Sequence, residues 1–189
     1  MNKLNDVQLI GVTGKKFNGK DTIGNYLISN HQYVRLSFAD PLKEALKCIF
    51  GFTDEQLYGN LKEVVDEYWG VSPRDVMKYI GTDVFRNKME QLIPDIKNDI
   101  WIRVVERQIL QLRKTDPNVK IVITDVRFPN EINLIKKYNG QIIKVNRQSV
   151  NNKIDHHESE KYIDSLYCDI MIQNDGSIDD VHQKIKELF

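Results

Sequence analysis

The chain has 189 residues, 41% of them hydrophobic, and its 27 Lys plus Arg are balanced by 27 Asp plus Glu. That length suits one domain, or a domain with a small insertion, whose core can bury most of its apolar surface. The formal net charge of zero excludes whole-surface attraction to nucleic acid or an anionic membrane, so any anion site must be local.

Cys48 and Cys168 lie far apart and outside any C-x-x-C or His-rich spacing, which predicts no zinc site and a reduced, cytoplasmic setting. Met1 to Asp6 is polar and too short for a signal peptide, and no apolar run approaches the roughly 20 residues of a membrane span. The expectation is a soluble, unprocessed protein.

Val7 to Thr13 reads as a short strand, followed after Lys20 by a helical pattern carrying Ile23, Leu27 and Ile28. Tyr33 to Phe38 reads as a second strand, and "ADPLKEALKCIF" opens a helix with Asp40 as N-cap and Pro41 at its first position. From Gly51 to Lys97 the pattern is helical and irregular, with "SPRDVMKYIGTDVFR" starting on a Ser72 cap. Asn98 to Lys114 is a longer helix whose Ile102, Val105, Ile109 and Leu112 form one buried stripe, with Arg103 and Arg107 on another face.

"VKIVITDVRF" is a β-branched run of the kind found in a central parallel strand. A helix over "FPNEINLIKKYNG", closed by Gly140, leads to the strand "QIIKVNR". After the polar stretch from Gln148 to Lys161, "CDIMIQN" reads as a last strand, and Ser177 with Asp180 predicts a capping box on a final helix. Strands alternating with helices predict an α/β fold, a parallel sheet covered on both faces. Gly14, Asp125 and Arg147 would emerge at its carboxyl edge, where ligands gather in such sheets.

"GVTGKKFNGKDT" fits the phosphate-binding pattern G-x-x-x-x-G-K-[ST] at Gly14, Gly19 and Lys20, but Asp21 replaces the hydroxyl residue. In such a loop, backbone N–H groups and the positive end of the next helix cradle phosphate oxygens, and Lys20 reaches the outer phosphates. Asp21 can serve a magnesium ion, which prefers hard oxygen ligands, if Lys15 and Lys16 offset its charge. Alternatively Asp21 caps the helix and Thr22 meets the metal.

Asp125 ends a buried strand where phosphate-loop enzymes keep a second magnesium-ordering carboxylate, and Arg127 falls on the same side of an extended chain. The plainer alternative is an Asp–Arg pair closing a surface turn. Arg74 near a helix start suits an acceptor anion, or else pairs with Asp75 or a glutamate on a solvated face. Arg86, Arg103 and Arg107 are weaker candidates. His156, His157 and Glu158 lack ligand spacing and read as a polar lid or turn. Trp69 and Trp101 read as packing residues.

Taken together, "GKKFNGKDT", "SFADPLK", "SPRDVMKYIGTDVFR", "DIWI", "ITDVRFPNE", "HHESE" and "CDIMIQNDGSIDD" resemble, in order and over nearly the whole chain, the phage-type deoxynucleoside monophosphate kinases. The resemblance implies a three-layer P-loop kinase fold with a five-stranded sheet in the order 2-3-1-4-5. It implies a core at 1–50 and 98–189, an acceptor-binding helical insertion at about 51–97 and a lid at about 147–161. The implied activity is transfer of the ATP γ-phosphoryl group to a deoxynucleoside 5′-monophosphate, with Mg²⁺ and the Asp after the loop lysine as that family's own choice of metal ligand.

Carried onto this sequence, the resemblance puts Gly14, Lys15, Lys16, Asn18, Gly19, Lys20, Asp21, Thr22, Arg147 and Asn174 at ATP, with Asn174 near the adenine. It puts Lys16, Phe38, Asp40, Lys43, Arg74, Gly81, Thr82, Asp83 and Arg127 at the acceptor. Lys20, Asp21, Asp125 and Arg127 would be catalytic, and Asp21 and Asp125 the metal ligands. Phe17 departs from the basic or small residue relatives often place in the loop, and the lid offers only Arg147 and Lys153 as cations. Partners would be small nucleotides, with no nucleic acid and no membrane; a homodimer is compatible with this. A phosphomevalonate kinase-like enzyme and a non-catalytic nucleotide-binding subunit are the competing readings.

Overall fold

The computed structural model describes residues 3–148 and 163–189. They form two compact units, one of the described residues up to Ser37 with those from Val105 onward and the other of Phe38–Val104. None of the described helices is long and apolar enough to cross a membrane.

The first unit is built on β1 (Leu9–Thr13), β2 (Tyr33–Leu36), β3 (Lys120–Val126), β4 (Gln141–Asn146) and β5 (Ile170–Gln173). These pair in parallel in the order β2-β3-β1-β4-β5. Every residue of β1 is buried, while β2 at the edge buries Tyr33 and leaves Val34 and Arg35 exposed. A strand covered on both faces needs an apolar run, and Leu9–Val12 of β1 and Ile121–Ile123 of β3 supply it.

On one side, α1 (Lys20–His31) and α7 (Ile178–Lys186) press Ile23, Leu27, Val181 and Ile185 onto Ile10, Val12, Val122, Ile143 and Val145. Full burial of each such side chain contributes about 1.5–3 kcal/mol. α6 (Pro129–Lys137) also packs on the sheet: a Cβ built on Gly11 would lie 2.4 Å from Ile135 Cδ1. α7 starts on the expected capping box, with Ser177 and Asp180 answering each other's backbone N–H.

The second unit opens with α2 (Asp40–Phe50) and α3 (Asp54–Leu57), continues through 3₁₀ turns, and includes α4 (Pro73–Lys78). Asp40 does not cap α2. Ala39 already has helical dihedrals and is the N-cap, so Asp40 lies in the first turn, where its charge complements the helix dipole. Ser72 does cap α4, its Oγ accepting from the Asp75 N–H. Directly after α4 the chain widens into a π-helical stretch, Tyr79–Arg86, a rare geometry that often marks functional sites. Trp101 holds that stretch, its buried Nε1–H donating to the Gly81 carbonyl at 2.9 Å. α5 (Ile100–Thr115) begins in this unit and ends in the first.

Candidate active site

The loop between β1 and α1 takes its shape from two glycines. Gly14 sits at φ +148°, and a Cβ there would lie 2.5 Å from the Val145 carbonyl oxygen; Gly19 sits at φ +97°, where a Cβ would lie 2.4 Å from Asn174 Nδ2. Left-handed backbone pressed against neighbours is open only to glycine. Phe17, by contrast, adopts φ 67° with a side chain and stands 70% exposed, with Lys16 Nζ 5.1 Å from its ring centroid.

Lys20 Nζ donates to the carbonyls of Gly14 at 2.7 Å and Lys15 at 2.8 Å, so the ammonium lies within the curve of the loop. α1 has Gly19 as N-cap and no side-chain capping bond. Its first amides are therefore not answered by a capping side chain, which is the condition for receiving an anion. Asp21 is exposed in the first turn and does not cap; Thr22 beside it is half-buried.

Asn18 and Asn174, both buried, meet at the back of this loop: Asn174 Nδ2 donates to the Asn18 carbonyl at 2.8 Å. Asn18 Nδ2 in turn donates to the Val145 carbonyl at 3.0 Å. On the opposite flank, Lys15 pairs with Asp164 Oδ2 at 2.9 Å, and the buried Lys144 donates to the Asp164 carbonyl at 2.8 Å. Arg147, just past β4, is half-buried. Of the expected lid only 147 and 148 are described; Lys153, His156, His157 and Glu158 lie outside the described residues.

The parallel register of β1 and β3 aligns Thr13 with Val126, which brings Asp125 alongside the start of the loop. Asp125 Oδ2 accepts a 2.8 Å hydrogen bond from Ser37, whose side chain is 2% exposed. Glu131, also 2% exposed, takes the Arg127 N–H at 2.6 Å and the Phe128 N–H at 3.1 Å on one carboxylate oxygen. That buried carboxylate sets the turn from which Arg127 projects. The sequence reading missed both Ser37 and Glu131 as site-shaping residues; the signals were the "SFAD" after the strand next to β3 and a Glu at the third position of α6.

The acceptor candidates lie in the second unit. Phe38 is buried and Asp40 and Lys43 are half-buried on the first turn of α2, with Lys43 Nζ 4.0 Å over the Tyr58 ring. Gly81, Thr82 and Asp83 fall within the π-helical stretch, where a Cβ on Gly81 would meet Leu42 Cδ2 at 2.5 Å. Arg74 pairs through Nε with Glu63 at 3.0 Å, and both side chains are more than a third exposed. Such a pair is weak and exchanges readily for a stronger anion.

A parallel sheet ordered 2-3-1-4-5, with a glycine loop and lysine after its central strand and a carboxylate at the end of the neighbouring strand, defines a P-loop kinase. The deoxynucleotide monophosphate kinase family model matches residues 8–65 and 49–185. The chain belongs to that family. A protein of Acanthamoeba polyphaga mimivirus named for the same activity is 36% identical over 181 residues, covering 94% of this chain and 93% of its own. The deoxynucleoside-5′-monophosphate kinase of Escherichia phage T5 is 29% identical over 185 residues, covering 69% of this chain and 72% of its own. Among solved structures, dephospho-CoA kinase from Campylobacter jejuni matches 96% of this chain and 95% of its own at 18% identity and a TM-score of 0.48.

Proposed function

We propose that this chain moves the γ-phosphoryl group of ATP onto the phosphate of a deoxynucleoside 5′-monophosphate, giving ADP and the diphosphate, with Mg²⁺ held beside the polyphosphate. The observation that carries the reading is the uncapped, glycine-shaped loop with Lys20 inside its curve and Asp125 aligned to its start. Among the described residues no three His, Cys, Asp or Glu side chains gather into a metal cage. Mg²⁺ does not ask for one: it commonly takes one or two carboxylates and fills the rest with phosphate oxygens and water. Asp21 and Asp125 match that donor set. The ion would supply charge neutralisation on the transferring group.

The chain's own residues do the remainder. Loop amides and the first turn of α1 hold the donor phosphates, and Lys20 turns its ammonium from the loop carbonyls to the outer phosphates. Arg127, aimed by the Glu131-bound turn, offsets charge on the equatorial oxygens. The attacking group is a phosphate oxygen already deprotonated at neutral pH, so alignment and charge neutralisation suffice and no general base is required.

In the Phe38–Val104 unit, Phe38, Asp40, Lys43, Arg74 and the Gly81 to Asp83 stretch are assigned to the acceptor, supported by the π-helical geometry and the weakly held Arg74. The cytoplasm, where ATP and deoxynucleotides are, is the proposed setting. The exposed Ile49, Val65 and Tyr68 are the kind of surface a homodimer would cover. Family membership lends nothing to a phosphomevalonate kinase-like or non-catalytic role. The test is a screen of dAMP, dCMP, dGMP, dTMP and mevalonate 5-phosphate with ATP and Mg²⁺, following ADP release. dGMP or dTMP is expected among the good acceptors, and failure of all four deoxynucleotides overturns the assignment.

A further inference from the structure

A buried asparagine costs free energy unless its amide is used, so its partners show what it is for. Asn174 is 7% exposed and Asn18 1%. The Asn174 backbone N–H donates to the Asn146 carbonyl at 2.7 Å, which carries the β4–β5 ladder one step beyond the strands. Its side-chain amide then reaches the Asn18 carbonyl at 2.8 Å, and the Asn18 amide reaches the Val145 carbonyl at 3.0 Å.

Both hinge glycines of the loop rest on these same groups, Gly14 against the Val145 oxygen and Gly19 against Asn174 Nδ2. The ends of β4 and β5 thus clamp the loop at its first and last turns. We infer that Asn174 is a positioning residue of the phosphate loop, acting through Asn18, and is not a reader of the adenine base. Its amide nitrogen lies beneath Gly19 in the wall of the loop and is bonded to the Asn18 carbonyl, so the amide donor serves the loop.

The inference rests on the loop being the phosphate cradle. Inward-facing amides bind phosphate only while the backbone keeps its curve, and a misplacement of about 1 Å in such a site can cost on the order of 100-fold. Two variants separate this role from general destabilisation. Asn174→Asp keeps the shape but cannot donate to the Asn18 carbonyl. Asn18→Ala removes one bond together with Asn18 Oδ1, a buried acceptor with no hydrogen-bond partner among the described residues; deleting an unsatisfied group offsets the lost bond, so this variant should keep its fold.

Each variant, shown folded by circular dichroism and thermal melting, is titrated with ATP and with inorganic tripolyphosphate, which has no base, and assayed for phosphoryl transfer. The expected result is that affinity for both ligands falls by the same factor, about 10- to 100-fold, with the acceptor KM unchanged. The Asn18→Ala, Asn174→Asp pair should lose little more than either alone, since the two act as one unit. Loss confined to ATP, with tripolyphosphate binding intact, would make Asn174 a base contact and overturn the inference, as would unchanged binding of both. Absence of transfer in the unaltered chain would sink the kinase assignment alone, because the tripolyphosphate comparison does not depend on it.

Discussion

Gly24 lies on α1 one turn after Lys20, and a Cβ built there would meet Thr124 Cγ2 at 2.4 Å, one residue before Asp125. Two effects of Gly24→Ala compete. Alanine gains about 1 kcal/mol over glycine in a helix interior. Against it, a methyl group forced into a packed contact costs about 1–3 kcal/mol, and Thr124 gives little because it is 3% exposed and stiff at χ1. Overpacking wins by up to about 2 kcal/mol, which at a urea m-value of about 2 kcal/mol/M lowers the unfolding midpoint by up to roughly 1 M. Pushing α1 off β3 at this level also separates the loop end from Asp125, so kcat should fall with stability. In a Thr124→Ser background the opposing Cγ2 is gone, and the same Gly24→Ala change should become neutral or stabilising. Equilibrium urea unfolding of the four proteins, with steady-state rates on each, decides the matter. A Gly24→Ala midpoint above that of the unaltered chain would show that the helix and strand are not in limiting contact and refute the reasoning.

Glu131→Ala leaves the half-buried amides of Arg127 and Phe128 without their acceptor and should cost about 1–3 kcal/mol with a large fall in kcat, whereas Glu131→Gln keeps an acceptor oxygen and should recover most of both; equal damage from the two in thermal melts and rates would argue against the turn-setting role. Trp101→Phe keeps a ring but removes the donor to the Gly81 carbonyl, so it should cost about 1–3 kcal/mol and raise the acceptor KM while leaving ATP affinity alone; an unchanged melt and KM would count against it. Burial raises the Asp169 pKa, but bonds from Lys136, the Ile142 N–H and Tyr167 outweigh it, so the carboxyl sits below its ordinary 3.8. A group depressed in the fold contributes fully above the unfolded value and loses its contribution as pH falls through the folded one. The stability gap between the unaltered chain and Asp169→Asn, about 1–3 kcal/mol near neutrality, should therefore close below about pH 4; a gap constant from pH 7 to pH 2 would contradict this.

The exposed Phe17 fits the picture of a loop held from behind. Its left-handed backbone costs a non-glycine residue of order 1 kcal/mol or more. Asn18, the next residue, is bonded on the buried side of the loop.

Some features were legible in the residues because their causes are local. Gly14 and Gly19 announce backbone that only glycine adopts against close neighbours, the β-branched run of β3 announces a strand covered on both faces, and Ser72 and Ser177 announce helix starts through bonds spanning three residues. The order 2-3-1-4-5 came from the resemblance and not from any periodicity, since strand order is decided by which faces pack. What tertiary structure alone decided lies between residues far apart in the chain. The Ser37 bond to Asp125 spans 88 positions and the Asn174 bond to Asn18 spans 156; both depend on strand order and register, which a period of two does not encode. Asp40 shows the same limit at short range: the residue type suits a cap, but Ala39 takes helical dihedrals and the helix starts one residue earlier.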